Sequence, residues 1–151
     1  MKFTYKIGDS RVIESRESSD GLSIRRRRES LDGKYRFTTY ERVERPNLVV
    51  VKKDGAHELF DREKLTNAIK RSVGKFFTSE LEVEDIINEV ESALYDLGET
   101  EVKSRQIGDL VLDKLAARNE VAYVRFASVY YEFKNLDEFE EILKQRRKKQ
   151  E

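Results

Sequence analysis

Hydrophobic side chains recur at intervals of three and four residues through the second half of the chain, which is the spacing of one face of an α-helix. Four such stretches follow one another, and they are carried by Leu65, Ala68, Ile69 and Val73; by Val83, Ile86, Ile87, Val90, Leu94 and Leu97; by Ile107, Leu110, Val111 and Leu115; and by Val121, Val124, Ala127, Val129, Tyr130 and Phe133. Gly74 and Gly98 are suited to helix C-termini, and Ser104 and Asn119 to N-caps. The pattern predicts a bundle of four helices, followed by an amphipathic tail.

A β-hairpin is predicted directly before the first helix. Residues 48–53 form a short, β-branched run, and Asp54-Gly55 is the dipeptide that best accepts a two-residue type I′ turn. Counting outward from that turn pairs Lys52 with His57 and Val51 with Glu58, and it puts Lys53 and Glu58 on one sheet face. Asp61 then follows as the N-cap of the first helix, whose free N–H groups attract anions.

The first 46 residues have a different pattern, with short alternating segments and turns. Residues 11–14 and 35–43 are candidate strands, and residues 19–21 are a candidate turn. Pro46, the only proline, restricts the residue before it to extended geometry and marks a boundary. We therefore expect three segments, at residues 1–46, 47–137 and 138–151.

The segment from Val50 to Lys64, with its Lys52-Lys53-Asp54-Gly55 core, resembles the ATP-cone, the nucleotide-sensing module of ribonucleotide reductases and of the NrdR repressors. Two further blocks are similar to the NrdR family, namely Ser23 to Arg28 followed by Arg36 to Glu41, and Val121 to Tyr130. The resemblance extends from Met1 to about Phe139. It implies an α+β fold, in which a small zinc-ribbon-like β module precedes an ATP-cone made of a β-hairpin over a four-helix bundle.

The zinc ribbon of that family has two Cys-x-x-Cys knuckles, and here the matching positions are Phe3, Lys6, Ser30 and Gly33. The chain contains no cysteine, and its single histidine, His57, lies in the hairpin. Structural zinc depends on thiolate and imidazole ligands, so we expect a metal-free module with no zinc. Packing must then replace the metal, and the candidates for that core are Phe3, Tyr5, Ile7, Ile13, Leu22, Ile24, Leu31, Tyr35 and Phe37.

By resemblance, ATP or dATP binds at the hairpin as a regulatory ligand. Lys52, Lys53 and Lys64 would neutralise its phosphates, Val50 and Phe60 would line the base or sugar, and Glu58 would accept a hydrogen bond from it. On residue type alone, these lysines would be exposed surface charges. Three more residues are implicated by family position, although they could equally be a helix cap and core aromatics: Ser104, Tyr123 and Tyr130.

DNA binding is predicted for the first segment. The formal net charge of the whole chain is +0, but residues 22–45 contain eight basic and four acidic residues, a net charge of +4. Such a charge run could be merely solvated, yet arginine can engage phosphate or guanine bidentately. In a strand the run alternates, so Arg26 and Arg28 can grip phosphates while Arg25 and Arg27 meet bases or a partner. The other candidates are Arg11, Arg16, Arg36, Thr38, Thr39 and Tyr40.

These expectations combine into a repressor of ribonucleotide reductase genes that binds double-stranded promoter DNA and responds to ATP and dATP by changing its homo-oligomeric assembly. We expect a cytoplasmic protein that does not bind membranes, because no apolar window or leader is evident. Catalysis is not expected, because no GxxxxGK loop is present. One alternative is a stand-alone ATP-cone regulator whose degenerate first segment binds a protein, and a small phosphotransferase is disfavoured.

Overall fold

The computed structural model describes residues 5–77 and 79–150. The chain divides into two compact units, Met1–Pro46 and Asn47–Glu151. Each unit has its own sheet, and the α-helices found among the described residues all belong to the second unit. Among the described residues, none of the helices is long and apolar enough to cross a membrane.

The first unit is a three-stranded antiparallel sheet. Strands β1 (Ser10–Glu17), β2 (Ser23–Ser30) and β3 (Arg36–Arg42) follow in chain order, after a single 3-10 turn at Ile7–Asp9. The β1–β2 connection contains the turn expected at residues 19–21, and β2 contains the whole arginine run. The register of β1 shifts between Val12 and Glu14, which is the effect of a β-bulge.

No described residue of the first unit is buried. The predicted replacement core is therefore wrong for five of its members, since Tyr5, Ile7, Ile13, Leu31 and Tyr35 are each at least 38% exposed. Leu22, Ile24 and Phe37 are only half-buried. A single sheet with no second layer cannot enclose side chains, and hydrogen bonds therefore have a larger share in holding this unit together. Phe3 lies outside the described residues.

The second unit contains five helices among its described residues, listed with their bounds as α1 (Arg62–Val73), α2 (Glu80–Asp96), α3 (Ser104–Arg118), α4 (Glu120–Tyr130) and α5 (Leu136–Gln150). The first four correspond to the bundle predicted from the hydrophobic spacing. Their apolar faces meet in one core, in which Ile69, Ile86, Val90, Leu94 and Leu115 are all 0% exposed.

The helix ends confirm some of the expected signals and correct others. Asp61 and Asn119 accept backbone N–H groups at the starts of α1 and α4, and Gly98 ends α2 with a φ of +68°. Ser104, however, is the first residue of α3 rather than its cap. Gln106 accepts the Lys103 N–H there. The chain also continues past α1 into a 3-10 turn at Gly74–Phe76.

The predicted hairpin is present, but its register is off by one residue. Strands β4 (Val49–Val51) and β5 (His57–Leu59) pair Val50 with Glu58 and Val51 with His57. The turn is longer than the expected two residues, because the Gly55 N–H bonds to the Lys52 carbonyl and the Lys52 N–H to the Ala56 carbonyl. Gly55 has a φ of +85° and is therefore the left-handed residue that follows a type I turn and forms a G1 bulge.

A third strand, β6 (Glu101–Lys103), was not predicted. It lies parallel to β4 and makes the sheet order β5-β4-β6. Val102 of β6 is paired with Val50 of β4, and both are buried against the helices. The parallel pairing brings the C-terminal ends of β4 and β6 to the same edge of the sheet, so Lys52 and Ser104 follow neighbouring strand ends.

Candidate nucleotide and nucleic-acid sites

Three of the residues expected to bind nucleotide form one charged cluster in the second unit. The Lys52 Nζ and the Lys64 Nζ lie 3.1 and 3.3 Å from the same carboxylate oxygen of Glu58. The corrected register explains the first contact, because Lys52 and Glu58 are diagonal neighbours on one sheet face. The second lysine reaches the carboxylate from the first turn of α1. Two cations thus converge on one point.

Glu58 is held in its charged form by this arrangement. Lys52 above all, and Lys64 with it, lower the pKa of the Glu58 carboxyl below its ordinary value of 4.5. The Glu58 side chain is 33% exposed, while those of Lys52 and Lys64 are 48% and 65% exposed. The cluster is therefore open to a ligand from solvent, and the carboxylate occupies a position that suits a phosphate oxygen.

The other hairpin candidates are placed differently. Lys53 lies in the turn after β4 and is exposed. The Val50 side chain is 6% exposed and belongs to the core. Phe60 packs at the edge of that core with its ring 6.4 Å from the Tyr95 ring, in a T-shaped contact.

Ser104, Tyr123 and Tyr130 are positioned by the helices. Ser104 begins α3 beside the end of β4 and is half-buried. The Tyr130 hydroxyl donates to the Arg105 carbonyl at 2.9 Å, so its ring lies along the start of α3. Tyr123 faces α5, where the Arg146 guanidinium lies 5.6 Å from the ring centroid. Burial raises the pKa of both tyrosine hydroxyls, which therefore stay neutral donors at physiological pH.

Gly108 makes room for Tyr130. A Cβ atom at Gly108 would lie 2.2 Å from the Tyr130 ring, closer than any real contact. Tyr130 is also stacked on Phe126, with ring centroids 6.1 Å apart. These contacts fix Tyr130, the last residue of α4, beside Arg105 in the first turn of α3, which begins at Ser104.

The sheet of the first unit has two faces of different charge. Directly paired residues share a face, and the β1–β2 and β2–β3 registers therefore sort the side chains. The face that contains Arg25 and Arg27, here called the odd face, has six arginines against Glu14 and Glu29, a net charge of +4. The full set of its arginines is Arg11, Arg16, Arg25, Arg27, Arg36 and Arg42.

The arginines of the odd face have polar partners on β2 and β3. The Arg27 guanidinium donates to the Thr38 hydroxyl at 2.9 Å. Glu29 binds Arg11 at 2.6 Å and Arg36 at 3.1 Å, and these two arginines keep 65% and 63% of their side chains exposed. One carboxylate thus holds two outward-pointing guanidinium groups, and Arg11 followed by Arg36 lowers the pKa of Glu29.

The opposite face, here called the even face, contains Arg26 and Arg28 and is neutral, because Glu17 and Glu41 share it. Arg26 is paired with Glu41 at 2.7 Å. Arg28 donates to the hydroxyls of Thr39 at 3.0 Å and Ser10 at 3.3 Å. Both arginines of this face are therefore engaged within the sheet itself.

Two residues of these sites were not among the sequence candidates. Arg42 lies on the odd face with its guanidinium 4.4 Å from the centre of the Tyr40 ring. Glu29 organises Arg11 and Arg36. Arg42 could have been found from the two-residue alternation of β3, which puts Thr38, Tyr40 and Arg42 on one face.

A zinc site does not fit the residues at the knuckle positions. Within residues 5–77 and 79–150, no cluster of three or more His, Asp, Glu or Cys side chains could hold a metal ion. Lys6 is a cation, Gly33 has no side chain, and the Ser30 hydroxyl is already bonded to Asp32 at 2.6 Å. This donor set has no affinity for a borderline-soft ion such as zinc.

Comparison with known proteins matches each unit to a family model. Residues 48–136 match the ATP cone domain, and residues 6–41 match the N-terminal domain of proteins like the transcriptional repressor NrdR. The transcriptional repressor NrdR of Streptococcus sanguinis is 51% identical over 136 residues, which cover 90% of this chain and 87% of the relative. That of Listeria innocua is 50% identical over 141 residues, covering 93% of this chain and 92% of the relative. The chain therefore belongs to the NrdR family.

Proposed function

We propose that this protein is a nucleotide-responsive transcriptional repressor of ribonucleotide reductase genes. Its first unit binds double-stranded promoter DNA, and its second unit binds ATP or dATP as a signal. The observation that carries this proposal is the pairing of a +4 sheet face in one unit with a convergent two-lysine cluster in the other, in a chain that belongs to the NrdR family.

The odd face is the better candidate for contact with DNA. Net positive charge attracts phosphate, and the odd face has a net charge of +4, whereas the two arginines of the even face are balanced by Glu17 and Glu41. Arg11 and Arg36 project from the odd face, and Thr38 and Tyr40 add hydroxyl groups beside them. A field of this sign steers the protein to the backbone of any duplex, and base contacts would then select the operator.

The nucleotide phosphates would bind to Lys52 and Lys64 in the place that Glu58 occupies. A phosphate has more negative charge than the carboxylate and can accept from both lysines at once. Glu58 would then be released to accept a hydrogen bond from the sugar or base. Ser104 would contribute from the start of α3, and Tyr130 would contribute from the end of α4, which contacts that turn. Lys53, in the exposed turn, would reach the phosphate chain from the other side.

Binding rather than chemistry is the role of this site. ATP and dATP differ by one hydroxyl group, and a ligand can shift an equilibrium only by its differential affinity for two states. We propose that the two nucleotides favour different homo-oligomeric assemblies, one of which presents the basic sheets to DNA. This regulation would operate in the cytoplasm.

The test is a titration of a labelled promoter fragment with no nucleotide, with ATP and with dATP. Couplings of this kind are about 1 to 3 kcal/mol, so one nucleotide should change DNA affinity by about 5- to 150-fold. Lys64→Ala should remove that response and leave nucleotide-free DNA binding intact. Lys70→Ala, which removes the same charge from the last turn of α1, is the matched control. Equal DNA affinity in all three conditions would contradict the proposal.

A second candidate is a regulator whose first unit docks a protein. The even face supports it, since this neutral surface has apolar side chains at Val12, Ile24 and Phe37. Protein interfaces favour such neutral, partly apolar centres. Failure to bind the promoter fragment even at low salt would select this alternative.

A further inference from the structure

The second turn of the first unit, here defined as Ser30–Tyr35, is closed by side-chain hydrogen bonds. The Ser30 hydroxyl donates to Asp32 Oδ1 at 2.6 Å and accepts from the Tyr35 N–H at 3.0 Å. The same Asp32 oxygen accepts from the Lys34 N–H at 3.0 Å. Gly33 has a φ of +73°, and its N–H bonds to the Ser30 carbonyl at 2.8 Å.

The first turn, Ser18–Ser23, has the same construction. The Ser18 hydroxyl donates to Asp20 Oδ1 at 2.5 Å and accepts from the Ser23 N–H at 3.1 Å. Asp20 also accepts from the Leu22 N–H at 3.0 Å, and Gly21 has a φ of +72°. The corresponding distances in the two turns agree to within 0.2 Å.

The common sequence of the two turns is Ser-x-Asp-Gly. Each residue type has a reason to be there. Serine and aspartate side chains replace backbone partners in tight turns, and glycine accepts a positive φ without strain. Only the second turn includes positions that match zinc ligands, namely Ser30 and Gly33. The first turn forms with no such position, so this hydrogen-bond pattern closes a hairpin without a metal.

Two further contacts tie the second turn to the chain before β1. The Leu31 N–H donates to the Asp9 carbonyl at 2.9 Å. The Tyr5 ring is stacked on Phe37 with 5.1 Å between centroids, and its edge meets Tyr35 at 6.3 Å. A tetrahedral metal would join the same two segments of a zinc ribbon.

We propose that the Ser30–Tyr35 turn, a copy of the Ser18–Ser23 turn, closes the first unit in place of a structural metal, and that this unit is therefore indifferent to zinc supply and to oxidants that attack thiolates. This inference concerns how the unit is held together and does not depend on what it binds. A failure of DNA binding or of nucleotide sensing would leave it standing.

The test measures amide hydrogen exchange by NMR, on the full chain after exhaustive dialysis against chelator. The amide protons of Tyr35 and Ser23 report the equivalent hydrogen bonds of the two turns. Both should be protected in the metal-free protein, and adding zinc should change neither rate by more than about twofold, because no ligand set is offered. Protection of Tyr35 that appears only with zinc would overturn the proposal.

A pair of matched substitutions makes the assignment specific. Ser30→Ala should speed exchange at Tyr35 by tenfold or more and leave Ser23 unchanged, and Ser18→Ala should do the reverse. An unchanged Tyr35 rate in the Ser30→Ala protein would refute the role of this hydroxyl. If a variant loses the fold of the unit, the zinc comparison on the unsubstituted chain still decides.

Discussion

Replacing Arg25 and Arg27 together with alanine should weaken DNA binding far more than replacing Arg26 and Arg28. Both double variants remove two positive charges from the same strand, and each loses a hydrogen bond to a β3 threonine. The Arg25/Arg27 variant lowers the net charge of the odd face, which is +4 in the unsubstituted protein. The Arg26/Arg28 variant removes arginines that are engaged with Glu41, Thr39 and Ser10. The two variants are thus matched in charge, residue type and strand, and they differ in the face and in the contacts of Arg26 and Arg28 with Glu41 and Ser10.

The expected size of the effect follows from the number of phosphates contacted. Each neutralised phosphate contributes about 0.9 to the slope of log affinity against log salt, so losing two contacts should flatten that slope by about 1.8. If each lost charge-assisted contact contributes about 1.5 kcal/mol, the affinity falls by about 3 kcal/mol. That loss corresponds to roughly 100-fold at 25 °C.

The assay is fluorescence anisotropy on a labelled promoter duplex, repeated across a range of salt concentrations. Thermal unfolding of each variant checks that the sheet persists. The Arg26/Arg28 variant should keep a slope near that of the unsubstituted protein. If it flattens the slope as much as the Arg25/Arg27 variant, or more, then the assignment of DNA to the odd face is refuted.

Four further outcomes are expected. Lys64→Ala should lower nucleotide affinity by about 1 to 3 kcal/mol in titration calorimetry, because a charge-assisted hydrogen bond to phosphate is lost; unchanged affinity for both ATP and dATP would remove this lysine from the site. Glu58 should titrate below 4.5 by carboxyl NMR, and Lys52→Ala should raise that pKa, since Lys52 is the main cause of its depression. The stabilising contribution of this carboxylate is present above its unfolded pKa and lost as pH falls through the folded one. Asn119→Ala should destabilise the second unit by about 0.5 to 2 kcal/mol in denaturant unfolding, through loss of the cap on α4. The purified protein should contain no stoichiometric zinc by elemental analysis.

The sequence predicted the second unit well because its helices repeat their apolar positions over three or more turns. Periodicity of that length is hard to mistake. The strand β6 was missed because three residues with one buried valine give no comparable signal, and its partner β4 lies about fifty residues earlier. Pairing over such a distance depends on the helices between them.

The hairpin register was wrong for a local reason. Asp54-Gly55 suits a two-residue turn, but Gly55 instead follows a type I turn and adds a bulge. A shift of one residue moves side chains to the other face. The sequence therefore predicted that Lys53 and Glu58 share a sheet face, whereas in the structure Lys52 forms the ion pair with Glu58.

The site in the first unit was only partly predictable. Alternation showed that the arginine run divides between two faces, but the choice between those faces depended on the neighbours supplied by β1 and β3. Two carboxylates determine which guanidinium groups are neutralised. Glu41, opposite Ile24, pairs with Arg26, and Glu29 pairs with Arg36 opposite it. The expected apolar core failed because the described residues of the first unit form a single sheet, and one layer cannot enclose side chains.

The parallel pairing of β4 with β6 has a consequence for how the second unit folds. The hairpin of β4 and β5 can form from neighbouring residues, but β6 can join it only after α1 and α2 have brought the chain back. Contacts of such sequence separation slow folding, because the chain loses the entropy of closing the loop before the strand pairs and stabilises the sheet. An isolated hairpin peptide would keep Lys52, Glu58 and Lys64 in sequence yet lack the strand that brings Ser104 to the end of β4. Ligand binding should therefore be a property of the whole unit, gained and lost in one step with its fold.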